Sequence, residues 1–411
     1  MNHSRRLVLW GLTFLMLAAL ALPASVMAQG NFVYTNDDIS GANTVSAFSV
    51  AWNGALTLLS GSPFSTKGTG SEGGFFASNR TTVSTVGNFL FASNTGSNDV
   101  SVFTINSKTG ALTLVTGSPF KTGGTSAGAI ALSATPDGKF LMAANSGSDN
   151  ITVFSIASTG KLTPIAHSPF ATLAEPDGIK VSPNGKFLAV AEPLANQTEM
   201  FSIAASGSLT SLGATPGVAD SGVAGVDINC NSSLLYAGAY NGKSPNYTLV
   251  DGYWISHTGT LTPLHGSPFE PGVGENSNVV LLGYGLGWQT LFVSNQISNT
   301  ITVFKVAFNG SLWLLPGSPF PMKSGASDPS GMATSKDGRL LYVANDTNKV
   351  SVFRVSAWGA LTEVAGSPFA TGQEGDLLSL TAFPPRTLSL LEALFDGCPI
   401  NGYGGWSSPE E

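Results

Sequence analysis

The chain has 411 residues, a net charge of −7, only 10% charged side chains, 49 glycines and two cysteines. An acidic chain with no Lys/Arg cluster excludes a protein that tracks nucleic-acid phosphates. Abundant Gly, Ser, Thr and Asn fit many short strands joined by tight turns.

The N-terminal segment, residues 1–28, reads as a secretory signal peptide. Arg5 and Arg6 precede the apolar run Leu7 to Leu22, and Val26-Met27-Ala28 supplies small residues for cleavage after Ala28. An uncleaved anchor is the alternative, but the run falls short of the ~20 residues of a spanning helix. The expectation is an exported, periplasmic or extracellular protein with no membrane span after cleavage. Export permits a disulfide, yet Cys230 and Cys398 lie far apart in sequence and read more naturally as separate thiols.

Residues 29–385 carry a repeat. Gly54, Gly110, Gly160, Gly207, Gly259, Gly310 and Gly359 are each followed two residues later by leucine, at spacings of about 47 to 56 residues. The last copy shows the unit. Pro329 to Ser335 is a first strand, Asp337-Gly338 a turn, Leu340 to Ala344 a second strand, Val350 to Val355 a third and Leu361 to Ala365 a fourth. The third strands, such as Val100-Ser101-Val102-Phe103, are apolar on both faces, as strands sandwiched between neighbouring sheets must be.

Each unit ends in Gly-Ser-Pro-Phe or a variant of it. Examples are Gly61 to Phe64 and Gly366 to Phe369, with Ala214-Thr215-Pro216-Gly217 the most degenerate. Proline cannot donate to a ladder, so the motif reads as a device of the outer edge. The first copy begins on a second strand at Asn31-Phe32-Val33-Tyr34. The last is followed by an orphan first strand, Asp376 to Phe383. Pairing the two closes a ring. The predicted fold is all-β: a seven-bladed β-propeller of four-stranded antiparallel blades, closed by the C-terminal strand on the N-terminal blade. Residues 386–411 form a tail, with Leu388 to Phe395 able to make two helical turns and Gly402 to Glu411 predicted disordered.

Leu341-Tyr342-Val343-Ala344-Asn345, Val350-Ser351-Val352-Phe353 and Gly359-Ala360-Leu361-Thr362 resemble the lactonase-type seven-bladed propellers. That group includes propeller 6-phosphogluconolactonases and YVTN-repeat proteins. The resemblance spans Asn31 to Pro385 and implies a ligand site near the central channel. It also implies a Pro-His-Ser start to a first strand and Asp-Leu-Gly after a second strand. Here the histidine position holds Ser330, Asp177 or, in the third copy, about Ala127, and Asn145-Ser146-Gly147 follows the second strand. His167, His257 and His265 fall in outer turns.

Lactone hydrolysis needs a base and a donor or cation for the oxyanion. The candidates are Asp177 or Glu175 as base with Arg80 or Lys180 as electrostatic partner, joined by Asp227, Glu275 and Asp328 as ligand-binding acids. No cofactor is expected, although the same acids could hold a channel Ca²⁺. Two functions follow. One is an exported lactonase-like propeller with a degenerate site. The other is a non-catalytic binding or scaffold propeller at the cell surface or in the periplasm. The expected partners are a small lactone or a surface polymer or protein, with the chain monomeric.

Overall fold

A computed structural model describes residues 30–71, 81–83, 86–125, 128–217, 222–240, 249–271, 277–285, 288–375 and 379–385. Residues 1–29 and 386–411, with the expected signal segment and tail, lie outside these residues. Seven antiparallel sheets make seven blades. Blade one is closed as predicted: Ser379–Phe383 pairs with Phe32–Asn36, Phe32 opposite Phe383. The inner strands of blades two to seven are Thr81–Val83, Ile130–Ala134, Gly178–Val181, Gly222–Ile228, Ser277–Gly285 and Pro329–Thr334. Each packs on the next, and Ser379–Phe383 packs on both the first and the last of them, so the ring is continuous.

The apolar core is divided into seven clusters, each shared by two adjacent blades. Phe32, Tyr34 and Val45 of blade one meet Leu90, Ala92 and Phe103 of blade two. Val33 and Phe48 of blade one turn the other way, onto Tyr342 and Val352 of blade seven. Alternate residues of one strand thus feed different interfaces, which is why the strands need apolar residues on both faces.

The seven repeated glycines sit at these interfaces. All have positive φ, from +72 to +92. A Cβ on Gly110 would run into the Phe32 ring of the preceding blade, and one on Gly207 would lie 2.7 Å from Phe140. Tyr34 Oη donates to the Gly110 carbonyl at 2.7 Å, and Tyr236 Oη to that of Gly310 at 2.6 Å.

The outer strands differ from expectation. Leu361–Glu363 ends early, and Phe369–Ala370 then pairs with the start of the third strand. The gap is bridged by serine. Ser367 Oγ accepts the Val352 N–H at 3.0 Å, Ser118 Oγ that of Val102 at 2.8 Å, and Ser318 Oγ that of Val303 at 2.8 Å. The serine supplies the acceptor that the broken ladder lacks, so Gly-Ser-Pro-Phe is an edge device built around its hydroxyl. Blade four lacks the motif and runs an unbroken outer strand, Leu209–Pro216, with a bulge opposite Met200 and Phe201.

Inner strands begin at one mouth of the channel, here the upper, and end at the lower. The loops between second and third strands and the connections between blades therefore lie at the upper mouth. The Gly-x-Leu turns lie at the lower. Among the described residues, no helix is long and apolar enough to cross a membrane.

One sequence expectation is corrected. Cys230, in the turn after Gly222–Ile228, is disulfide-bonded and not a free thiol. Cys398 is the one other cysteine of the chain. Distance along the chain is a poor guide in a closed ring, where the last strand pairs with the first.

Candidate functional site

Second strands end at the upper mouth, and strand register aligns their last residues. Asn94, Asn145, Asn295 and Asn345 share one position, which is Asp37 in blade one, Glu192 in blade four and Ala239 in blade five. The asparagines bind a hydroxyl on the neighbouring third strand. Asn94 Nδ2 donates to Ser101 Oγ at 2.8 Å, Asn295 Nδ2 to Thr302 Oγ1 at 2.8 Å and Asn345 Nδ2 to Ser351 Oγ at 3.0 Å. The hydroxyl then donates to a carbonyl of the incoming connection, as Ser101 does to Thr66 at 2.7 Å.

Blade four inverts this link. Glu192 replaces the asparagine and Glu199 the hydroxyl, and both are buried. Glu192 Oε1 accepts the Leu173 N–H at 2.9 Å, and the Ala174 N–H adds to it. Ser211 Oγ donates to Glu199 Oε1 at 2.5 Å. Apart from each other, the two remaining oxygens, Oε2 of each glutamate, have no partner. Two carboxyl oxygens buried together need a proton on one of them. Burial pushes Glu192 up to about 8, the Leu173 N–H opposes this, and the charge of Glu199 and its hydrogen bond to Glu192 add to it.

Glu192 therefore holds the incoming loop that carries Glu175 and Asp177. Glu175 is half-buried with φ +37, and its N–H reaches Asp149 Oδ1 at 2.7 Å. Asp177 is 2% exposed, and its N–H donates to the Ala191 carbonyl at 3.0 Å, which extends the ladder to the upper mouth. Asp328 occupies the equivalent of Glu175 in blade seven, with φ +49 and its N–H on Asn299 Oδ1 at 2.7 Å.

Lys180 faces blade five. Its Nζ lies 2.6 Å from Asp227 Oδ1, toward the lower end of the inner strands. Asp227 Oδ2 accepts the Leu282 N–H of blade six at 2.9 Å. The pair thus ties three blades together, and Asp227 spends its acceptors on the frame. Asp227→Asn should lower stability by about 1–3 kcal/mol, because the charge partner of Lys180 is lost while the Leu282 N–H stays buried. Denaturant unfolding of both proteins would measure it.

Blades four and seven are separated by two blades on one side and three on the other, so Asp328 is no neighbour of Asp177. Arg80 and Glu275 lie outside the described residues. His167, His257 and His265 are exposed in outer turns, as expected. Among the described residues, no three His, Cys, Asp or Glu side chains converge as a metal ion would require. A cleft of about 310 Å³ between blades three and four, lined by Pro136, Asp137, Phe140, Pro183 and Asn184, opens at the lower end, away from Asp177.

Asp37 is a further buried acid missed from sequence. Asp37 accepts from Thr35 at 2.8 Å, Thr44 at 2.6 Å and Ser46 at 2.9 Å. Burial raises its carboxyl to about 6 against these three donors. The signal for both acids was the repeat itself: aligning the last residue of each second strand exposes Asp37 and Glu192 among asparagines.

Comparison with known proteins agrees with the architecture. The profile of the seven-bladed β-propeller lactonases matches residues 24–124 and 116–224. No curated protein matches the chain. Among solved structures, a provisionally named 6-phosphogluconolactonase of Bacteroides fragilis superposes with TM-score 0.67 at 19% identity, covering 88% of this chain and 99% of that one. A counterpart from Bacteroides uniformis gives 0.68 at 18%, with 86% and 99% covered. A Lactobacillus plantarum protein gives 0.62 at 13%, with 86% and 99% covered. At such identities the superpositions speak for the fold. With the profile match and the seven closed blades, the chain belongs to the lactonase-type seven-bladed β-propeller family.

Proposed function

We propose that this protein is an exported propeller that acts on a sugar-derived or similar lactone at the upper mouth of blade four. One observation carries the reading. Besides its unbroken outer strand, blade four departs from the shared frame at three places in its first three strands, and each of these is a carboxyl. Asp177 stands where blade seven has Ser330, Glu192 where four blades have asparagine, and Glu199 where five blades have Ser or Thr and blade five has Asp251. Buried carboxyls are costly, and local breaks in an otherwise consistent frame concentrate at functional sites. Asp177 is the base in this reading, and Glu175 lies beside it on the same loop. Lys180 is engaged with Asp227, which leaves Arg80 as the electrostatic partner in this reading. The disulfide at Cys230 and the N-terminal segment support a periplasmic or extracellular location.

Asp177→Ala should lower kcat/KM for hydrolysis of an unphosphorylated aldonolactone by about 10²-fold or more, the scale of a lost general base. Its melting temperature should stay close to that of the wild type. A panel of lactones assayed by pH-stat measures this, and equal rates from the two proteins would refute the assignment.

A second reading is a non-catalytic surface-binding propeller. It is favoured by the exposed Trp52, Phe308 and Trp358 at the turn tips of the adjacent blades one, six and seven. Rings presented in this way suit stacking on a polymer. Binding to cell-wall polysaccharide without any turnover would select it.

A further inference from the structure

The lower outer wall of the propeller is not uniform. Register aligns one surface pair per blade: the last residue but one of the third strand and its partner on the outer strand. Blades one to four hold hydroxyls there, Ser49 opposite Thr57, Thr104 opposite Thr113, Ser155 opposite Thr163 and Ser202 opposite Thr210. Blades five to seven instead hold Trp254 opposite Thr262, Lys305 opposite Trp313 and Arg354 opposite Thr362. The turn tips change over the same stretch. Those of blades two to five carry Lys108, Ser158, Ala205 and His257, whereas those of blades six, seven and one carry Phe308, Trp358 and Trp52. Each of these three turns rests on the preceding blade. A Cβ on Gly310 would meet Leu234 and Leu264 of blade five, one on Gly359 would meet Thr290 of blade six, and one on Gly54 would meet Leu340 of blade seven. Lys305 Nζ lies 5.4 Å from the centre of the Trp358 ring, and Arg354 Nη2 donates to the Asn53 carbonyl at 2.7 Å. Three successive grooves between blades are thus lined by a ring or a cation and closed below by the next ring. Every exposed tryptophan and phenylalanine among the described residues lies on this arc. Trp52 is 93% exposed and Phe308 fully so. Clustered exposed rings of this kind mark an interaction surface.

We propose that this arc binds an anionic, uronate-rich polysaccharide laid across the three grooves from blade five to blade one. Charge selects the anionic class. The chain is acidic overall, at −7, yet the arc carries Lys305 and Arg354 in a row that holds no cation elsewhere. The acids of the lower half of blade seven are engaged within the frame. Glu363 accepts the Lys323 N–H at 2.8 Å and the Ser367 hydroxyl at 2.7 Å, and Asp337 faces Arg339. Shape selects a polymer chain over a membrane. A flat bilayer would meet the tips Trp52, Phe308 and Trp358. Trp254 and Trp313 sit back from the tips on their strands, within the grooves, where a flexible chain can follow them. A pyranose ring lays its C–H face on an aromatic ring, while its carboxylate meets the cations and its hydroxyls meet Thr262 and Thr362. The proposal rests on the polymer-binding reading of these rings given above. It names the class of polymer, and it stands whether or not Asp177 hydrolyses a lactone.

Affinity electrophoresis of the wild type should show retardation in gels containing polygalacturonate and none in gels containing neutral dextran. Trp52→Ala and Trp254→Ala should each weaken the interaction about fivefold or more, the scale of a lost aromatic anchor. Lys305→Gln with Arg354→Gln should remove the preference for the anionic polymer. Ser158→Ala, at the bare tip of blade three, should change nothing. A footprint on the wild type guards against a variant that fails to fold. Saturating polygalacturonate should slow oxidation of Trp52, Trp254, Trp313 and Trp358 by N-bromosuccinimide, read peptide by peptide. Equal retardation by dextran would overturn the anionic assignment while leaving the polymer-binding reading in place. Retardation by neither polymer would overturn both. Binding to phosphatidylglycerol vesicles that needs Trp52 and Phe308 but not Trp254 would make the arc a membrane surface and overturn the proposal.

Discussion

Gly110→Ala should destabilise the protein by about 2–5 kcal/mol, more than any exposed substitution. Two costs combine. At φ +72 a non-glycine residue pays about 1–2 kcal/mol. The new methyl also meets the Phe32 ring across the blade interface, and overpacking of this kind costs about 1–3 kcal/mol. Gly123 separates them. It has φ +76, yet a Cβ there meets nothing within 4 Å. Gly123→Ala should therefore show the backbone cost alone. A Phe32→Leu background should recover part of the Gly110→Ala loss, and urea unfolding of the four proteins would show the coupling. Equal losses at Gly110 and Gly123 would mean that the Gly-x-Leu turns do not hold neighbouring blades together.

Glu192→Gln should change the pH dependence of stability as much as its magnitude. In the folded chain burial holds the Glu192 proton up to about pH 8, whereas an unperturbed glutamate releases it near 4.5. Between those values the folded state binds more protons than the unfolded state. Stability then falls as pH rises, being fully present below about 4.5 and lost by about 8. Asp37, raised to about 6, contributes in the same direction over the lower part of that range. Glutamine stays neutral and can donate its amide to Glu199, so the variant should lose most of the decline and melt higher than wild type at pH 8. Melting temperatures across pH 5–8 check this, and parallel curves for the two proteins would contradict it.

The frame was legible because its signals are local and repeated. Gly54 to Gly359 mark the turns that must adopt positive φ, and their spacing counts the blades. The closing strand was legible because the first copy begins on a second strand and an unpaired first strand follows Phe369. Gly-Ser-Pro-Phe was legible as an edge device through its proline, but the role of its serine was not, because that role depends on a break in the outer strand that no propensity signals. The site was legible only in part. Asp177 and Glu175 stood out by position. Lys180 was grouped with them by sequence proximity, but an inner strand rises about 3.3 Å per residue and Lys180 reaches its acid on the next blade. Glu192 and Glu199 were hidden because each looks like an ordinary polar strand residue. Only register shows that they replace an asparagine and a hydroxyl and face each other.

The account's central claim is that blade four binds the ligand at the upper mouth. Hydrogen exchange of the wild type with and without a saturating aldonolactone tests it most directly. Protection should appear in Leu173–Gly178 and Glu192–Asn196, and should vanish in Asp177→Ala. Protection confined to the turns of Trp52, Phe308 and Trp358, or none anywhere, would contradict it.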